Sequence, residues 1–136
     1  MVHDRVEYVQ GLTDAHTGAA EALDDGKGVC QDHAHIFISA ARVLGIPARY
    51  VTGYLVLDTR NRESAPAQHA WAEAYVDPLG WVGFDVANRL CPTDSYVRLA
   101  CGLDAGCTAP IVGSRRGGAG ESLKVSVAAQ QEASQQ

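Results

Sequence analysis

The sequence predicts a single domain of mixed class, helical in its first third and built of strands beyond it. Three observations predict this. From Cys30 to Leu44 the apolar residues Cys30, Ala34, Phe37, Ile38, Ala41 and Leu44 recur at three- and four-residue steps, the period of an amphipathic helix. Past Gly45 and Pro47 the pattern changes to alternation or continuous apolar runs rich in Val, Tyr and Trp, which suits a pleated sheet. The 136 residues, 46% apolar and 20% charged, match one ordinary globular core. A chain of this size buries roughly 65 to 70% of its unfolded surface, enough to hold without disulfide or metal staples.

The opening, Arg5-Val6-Glu7-Tyr8-Val9-Gln10-Gly11, reads as the end of an element whose beginning is missing, as in a domain truncated at its N-terminus. Ala19-Ala20-Glu21-Ala22-Leu23 forms a short helix with Gly26 as its stop. The long helix follows, closed by Gly45 and Pro47. Strands are expected near Ala48 to Leu57, Ala70 to Val76 and Trp81 to Asp85, with weaker ones at Tyr96 to Cys101 and Ser122 to Ala128. In the last, Leu123, Val125 and Val127 alternate with Ser122, Lys124 and Ser126. Asp58 to Gln68 reads as an exposed loop and Asp77-Pro78-Leu79-Gly80 as a hairpin turn. The domain is expected over 1–129, with 130–136 a polar, frayed tail.

Charge and composition exclude several classes. Eleven Lys and Arg against sixteen Asp and Glu give a net charge of -5, and only Arg115 and Arg116 are adjacent, so no nucleic acid partner is expected. No apolar run approaches the 18 or so residues a bilayer span needs, and the polar start lacks a signal peptide's apolar core. The expected setting is cytoplasmic, with no membrane partner. Cys30, Cys91, Cys101 and Cys107 contain no C-x-x-C pair and no histidine at zinc-finger spacing, so neither a structural zinc nor any other cofactor is expected. Without an export signal the even count alone does not argue for disulfides, and Cys91, Cys101 and Cys107 read as small filler or surface thiols. Gly117-Gly118-Ala119-Gly120 lacks a Walker pattern and reads as a connector.

The chemistry gathers around Cys30, which starts the long helix directly after Gly26-Lys27-Gly28-Val29. A thiol there meets unpaired backbone amides and the positive end of the helix dipole, which favour thiolate over thiol. The glycines let a substrate carbonyl approach the Cys30 amide, one candidate oxyanion donor. A cysteine nucleophile needs an imidazole in hydrogen-bond reach. His3 and His16 lie in the ragged start, His35 faces elsewhere on the helix, and His33 would have to reach backward. His69 opens the apolar strand Ala70-Trp71-Ala72-Glu73-Ala74-Tyr75 and is the better partner. Asp85 ends the next strand, and a hairpin through Asp77 to Gly80 would return it to His69 as the orienting third residue. Each of the three residues is also common in a purely structural setting. Asp32 reads as a first-turn carboxylate suited to the dipole, although its charge works against a thiolate at Cys30. Trp71, Trp81 and Tyr54 read as core or cleft-wall aromatics.

Several separated motifs in one order carry a resemblance. They are Thr13-Asp14-Ala15-His16-Thr17, Gly28-Val29-Cys30-Gln31-Asp32-His33-Ala34-His35, Leu44 through Tyr54, His69-Ala70-Trp71-Ala72-Glu73, Gly80-Trp81-Val82-Gly83-Phe84-Asp85 and Asn88-Arg89. Over roughly Tyr8 to Val127 the chain resembles the bacterial transglutaminase-like proteins within the papain-like cysteine peptidase and transglutaminase fold. The resemblance implies an α+β fold with the nucleophile helix packed on an antiparallel sheet, and Cys30, His69 and Asp85 as catalytic residues. Gln31 and Trp71 are further candidates for substrate binding or the oxyanion. Relatives usually carry a further β-rich region and a helix ahead of this core. Val86-Ala87-Asn88 also departs from the more familiar proline and Thr-Asn pair.

The expected reaction is acyl transfer, in which Cys30 attacks a carboxamide or peptide carbonyl, His69 protonates the leaving nitrogen, and a thioester passes its acyl group onward. The expected partner is a peptide or protein substrate, with an amine as a possible acceptor. Water as acceptor makes a protease or amidase, an amine makes a transglutaminase, and the absence of a D-x-D-x-D-G calcium loop leans toward hydrolysis. Two rivals come from other classes: an interaction domain that keeps the fold without turnover, and a metal module built from Cys30, His33 and His35.

Overall fold

The computed structural model describes residues 1–13, 17–56, 66–114, 116–118, 120, 122 and 124–129. The elements run α1 (Val2–Arg5), β1 (Glu7–Tyr8), α2 (Ala19–Asp25), β2 (Lys27–Gly28), α3 (Cys30–Val43), β3 (Ala48–Leu55), β4 (Ala67–Val76), β5 (Gly80–Phe84), β6 (Tyr96–Gly102) and a 3-10 turn at Gly106–Thr108. The four longer strands form one antiparallel sheet in the order β5-β4-β3-β6, and α3 packs on it. This is the α+β arrangement expected.

Glycines end both main helices. Gly26 follows α2 at φ +65° and Gly45 follows α3 at φ +76°, left-handed positions that glycine takes without steric cost. The stripe Ala34, Ile38 and Ala41 of α3 meets Ala70, Ala72 and Ala74 of β4 and Ala48 and Tyr50 of β3. The three alanines of β4 let the helix sit close to the strand, and Phe37 stacks on Phe84 of β5 at 5.1 Å. A second, smaller cluster joins Val6, Ala22 and Ile36, so Val6 is buried in a small core of its own.

The opposite side of the sheet carries charge. Glu73 is 8% exposed and is held by Arg49 at 2.7 Å and Arg98 at 3.0 Å, while the Arg49 guanidinium lies 4.1 Å over the Trp81 ring. Trp81, read from the sequence as a core or cleft-wall aromatic, is a half-exposed partner of a cation outside the core. In β3 the register slips between Thr52 and Gly53, and Gly53 stands opposite His69. A Cβ at Gly53 would lie 2.0 Å from the Val97 carbonyl oxygen and 2.8 Å from the Trp71 ring, so only glycine fits between β6 and that indole.

Three expectations need correction. The described residues of 122–128 form no strand, although Val125 and Val127 keep the alternating pattern; Val125 is exposed, and no neighbouring strand pairs with it. The opening is a short helix and a two-residue strand pairing in parallel with β2, where the end of one element was expected. The loop expected over Asp58 to Gln68 gives its last two residues to β4, and 57–65 lie outside the described residues, as do 14–16 and 130–136.

Candidate active site

The site is built at the tip of α3. Val29 is the N-cap and no side chain among the described residues caps the helix, so its first-turn amides are candidate donors for an incoming oxyanion. Asp32 turns back to accept the Val29 N–H at 2.8 Å and the Thr13 hydroxyl at 2.7 Å. Its carboxylate is thus spent on local structure, as the first-turn reading anticipated. Gly28 makes room for it, because a Cβ there would lie 2.7 Å from the Asp32 Cβ. Cys30 is half-buried, whereas the other three free thiols, Cys91, Cys101 and Cys107, are exposed.

The hairpin does what its spacing suggested. Its β4–β5 register ends at Ala72 opposite Phe84, so Asp85 comes next to Trp71 and diagonal to His69. His69 Nε2 donates to Asp85 Oδ2 at 2.6 Å, and both residues are buried, at 8% and 1% exposure. Cys30 lies near enough to the His69 ring to interact with it electrostatically. With Nε2 committed to the carboxylate, Nδ1 is the ring nitrogen left to face the thiol.

Two residues to which the sequence assigned no role in the site complete the arrangement. Tyr96 Oη donates to Asp85 Oδ2 at 2.6 Å, and Asn88 donates to it through Nδ2 at 2.7 Å and to Oδ1 through its backbone N–H at 3.1 Å. Asn88 reaches back because the chain turns tightly after β5, with Asp85 and Leu90 exchanging backbone hydrogen bonds and Arg89 at φ +57°. The Trp71 ring stacks beside His69 and meets Tyr96 edge-on at 5.4 Å, forming one wall. Gln31 follows Cys30 in the first turn of α3 and is half-buried.

The remaining described histidines point elsewhere. His33 is fully buried, with its two ring nitrogens against the carbonyls of Val29 and Val6, and His35 accepts the Ala105 N–H. His3 pairs with Arg89. Among the described residues no cluster of His, Cys, Asp and Glu could hold a metal ion, so Cys30, His33 and His35 do not converge as the metal-module reading required. No helix among them is long and apolar enough to cross a membrane. Among the described residues a cavity of about 420 Å³ is lined by His35 and Asp104 and another of about 380 Å³ includes Asp85 in its lining, and neither is lined by Cys30 or His69.

Burial alone would lower the His69 pKa, but its hydrogen bond to Asp85 and its interactions with the Asp85 and Cys30 charges prevail and raise it to about 9. Burial pushes Asp85 up, and the hydrogen bonds from His69, Tyr96 and Asn88 outweigh it, bringing the carboxyl down to about 2. These shifts fix the sign of a stability profile. His69 stabilises the fold fully below its ordinary 6.5 and loses that contribution as pH rises through about 9. Asp85 contributes above its ordinary 3.8 and loses this as pH falls through about 2. Urea denaturation across the pH range is therefore expected to show a plateau between about pH 4 and 6.5 with a fall on each side. In His69→Ala the alkaline fall should shrink; an alkaline limb identical to wild type would contradict the assignment.

Comparison with known proteins follows the same lines. A family model described as the transglutaminase-like superfamily matches residues 1–86. An uncharacterized protein of Mycobacterium leprae is 33% identical over 129 residues, covering 90% of this chain and 44% of that protein. One from Mycobacterium tuberculosis is 32% identical over 114 residues, covering 78% and 36%. A crystal structure from Cytophaga hutchinsonii, described as "a Putative Cysteine Protease", matches with a TM-score of 0.67 at 39% identity, over 79% of this chain and 35% of that one. The chain spans less than half the length of the curated relatives it matches.

Proposed function

Because this chain belongs to the transglutaminase-like superfamily, we propose that it carries out cysteine-dependent acyl transfer on peptide or carboxamide substrates. The family and the Cytophaga neighbour support the coarse kind, a cysteine enzyme. The observation that carries the finer reading is the imidazole of His69, hydrogen-bonded to a buried Asp85 and interacting electrostatically with Cys30.

In this reading the Cys30 sulfur attacks the carbonyl carbon, and the oxyanion forms against the first-turn amides at the tip of α3. The C–N bond then breaks, and the leaving nitrogen takes a proton from His69, which a pKa of about 9 keeps protonated at neutral pH. A thioester on Cys30 remains. Water or an amine adds to it, His69 receives the proton of the attacking group, and the C–S bond breaks to release the Cys30 sulfur as thiolate beside protonated His69, as at the start. Asp85 holds the ring in the tautomer and orientation that both half-reactions need. Gln31 and Trp71 would line the substrate path. Hydrolysis is the favoured outcome, with a peptide or protein as substrate, and an amine acceptor would make the same thioester a transamidation.

Accessibility gives this reading a clean test. Cys91, Cys101 and Cys107 are exposed and Cys30 is not, so exposure alone predicts that Cys30 is alkylated last. An activated thiol predicts the reverse order. Brief iodoacetamide treatment near pH 6 followed by peptide mass spectrometry should label Cys30 at least tenfold faster than the other three. Cys30 reacting no faster than they do would favour the interaction-domain reading.

A further inference from the structure

We propose that Tyr96 is a positioning residue of this site, its hydroxyl sharing Asp85 Oδ2 with His69 so that carboxylate and imidazole are held in one fixed orientation. The inference rests on the acyl-transfer reading for its catalytic consequence, but its structural core does not depend on turnover.

The geometry is unusually crowded at one atom. Asp85 Oδ2 accepts from His69 Nε2 at 2.6 Å, Asn88 Nδ2 at 2.7 Å and Tyr96 Oη at 2.6 Å, whereas Oδ1 accepts the Asn88 backbone N–H at 3.1 Å. A carboxylate oxygen offers about two lone-pair directions, so three donors compete for one negative charge. Each added donor weakens the hold of Asp85 on an imidazolium while fixing the plane of the carboxylate. Tyr96 comes from β6, on the far side of β3 from β4, and its ring meets both His69, at 6.0 Å, and Trp71 edge-on. The hydroxyl therefore ties the far strand of the sheet to the residue that orients the imidazole.

Tyr96 remains a donor through the working range. Burial and then the hydrogen bond to Asp85 raise its phenol above the ordinary value. The titratable groups facing His69 are Cys30 from α3, Asp85 at the end of β5 and Tyr96 from β6. Those facing Asp85 are His69 and Tyr96, with the neutral Asn88 beside them.

The test follows the His69 ring nitrogens of the whole chain by ¹⁵N NMR across pH, in wild type, in Tyr96→Phe and in protein with 3-fluorotyrosine placed at position 96. Removing the hydroxyl leaves more of the Asp85 charge to His69, so its titration midpoint should rise by about half a pH unit. The fluorinated phenol is a stronger donor of nearly the same shape, so the midpoint should fall. Opposite shifts from the two changes cannot come from altered packing alone. On an amide substrate Tyr96→Phe should lower kcat by roughly tenfold with KM nearly unchanged. Midpoints that stay at the wild-type value in both proteins, or move in the same direction, would overturn the proposal; if Tyr96→Phe does not fold, the fluorotyrosine protein alone decides. Should no substrate turn over, the NMR arms still read the Tyr96 coupling, so failure of the acyl-transfer reading and failure of this one remain distinct.

Discussion

Replacing His69 with alanine is expected to lower turnover of an amide substrate by about 10²- to 10⁴-fold, the span that a positioned acid and base contributes. The same change should return Cys30 to an alkylation rate at or below that of its exposed counterparts. Both effects have one cause. His69 is a group beside Cys30 that, at a pKa of about 9, holds a transferable proton at neutral pH. Without it the leaving nitrogen departs unprotonated. Steady-state kinetics and site-resolved alkylation of the same preparation give the comparison, with circular dichroism to confirm the fold. A variant that keeps wild-type kcat/KM would remove His69 from the chemistry.

Asp85→Asn is expected to damage both stability and rate. The carboxylate accepts four hydrogen bonds in all, three of them at Oδ2. A carboxamide has a single acceptor oxygen, and its NH₂ must face donors whichever way it turns, leaving at least one buried polar group without a partner. The cost is about 2 to 4 kcal/mol, or a melting temperature lower by roughly 10 °C. A ring no longer fixed at Nε2 can present the wrong nitrogen to Cys30, and a further loss of about 10³-fold in kcat follows. Thermal melts and kinetics separate the two effects, since the rate loss persists well below the melting point. A variant melting with wild type and turning over at its rate would show that neither the charge nor the tautomer matters.

The helix and the hairpin were legible because their signals are local. The three- and four-residue period of α3 ends at glycine and proline, and β4 and β5 are joined by a short turn, so Cys30, His69 and Asp85 could be related without knowing the rest of the sheet. Tyr96 could not be found this way. Its role depends on β6 lying beside β3 and on the orientation of its side chain, and nothing in the spacing between Asp85 and Tyr96 encodes that strand order. Asn88 was in view as part of a resembling motif but without a role, because its function comes from a turn with a left-handed Arg89. The alternation at 122–128 misled for the complementary reason. A period of two states which residues could share a face, but a strand also needs a neighbour to pair with, and the sequence does not name one.

Gly53 opposite His69 carries a consequence for how variation in this protein should be read. Any side chain there drives into the Val97 carbonyl and the Trp71 ring, so intolerance at position 53 would look as severe as intolerance at Cys30, although Gly53 has no part in bond making. A mutational map scored by activity alone would merge the two positions. Scored by abundance as well, it would divide them, with Gly53 variants lost from the soluble pool and Cys30 variants present but inert.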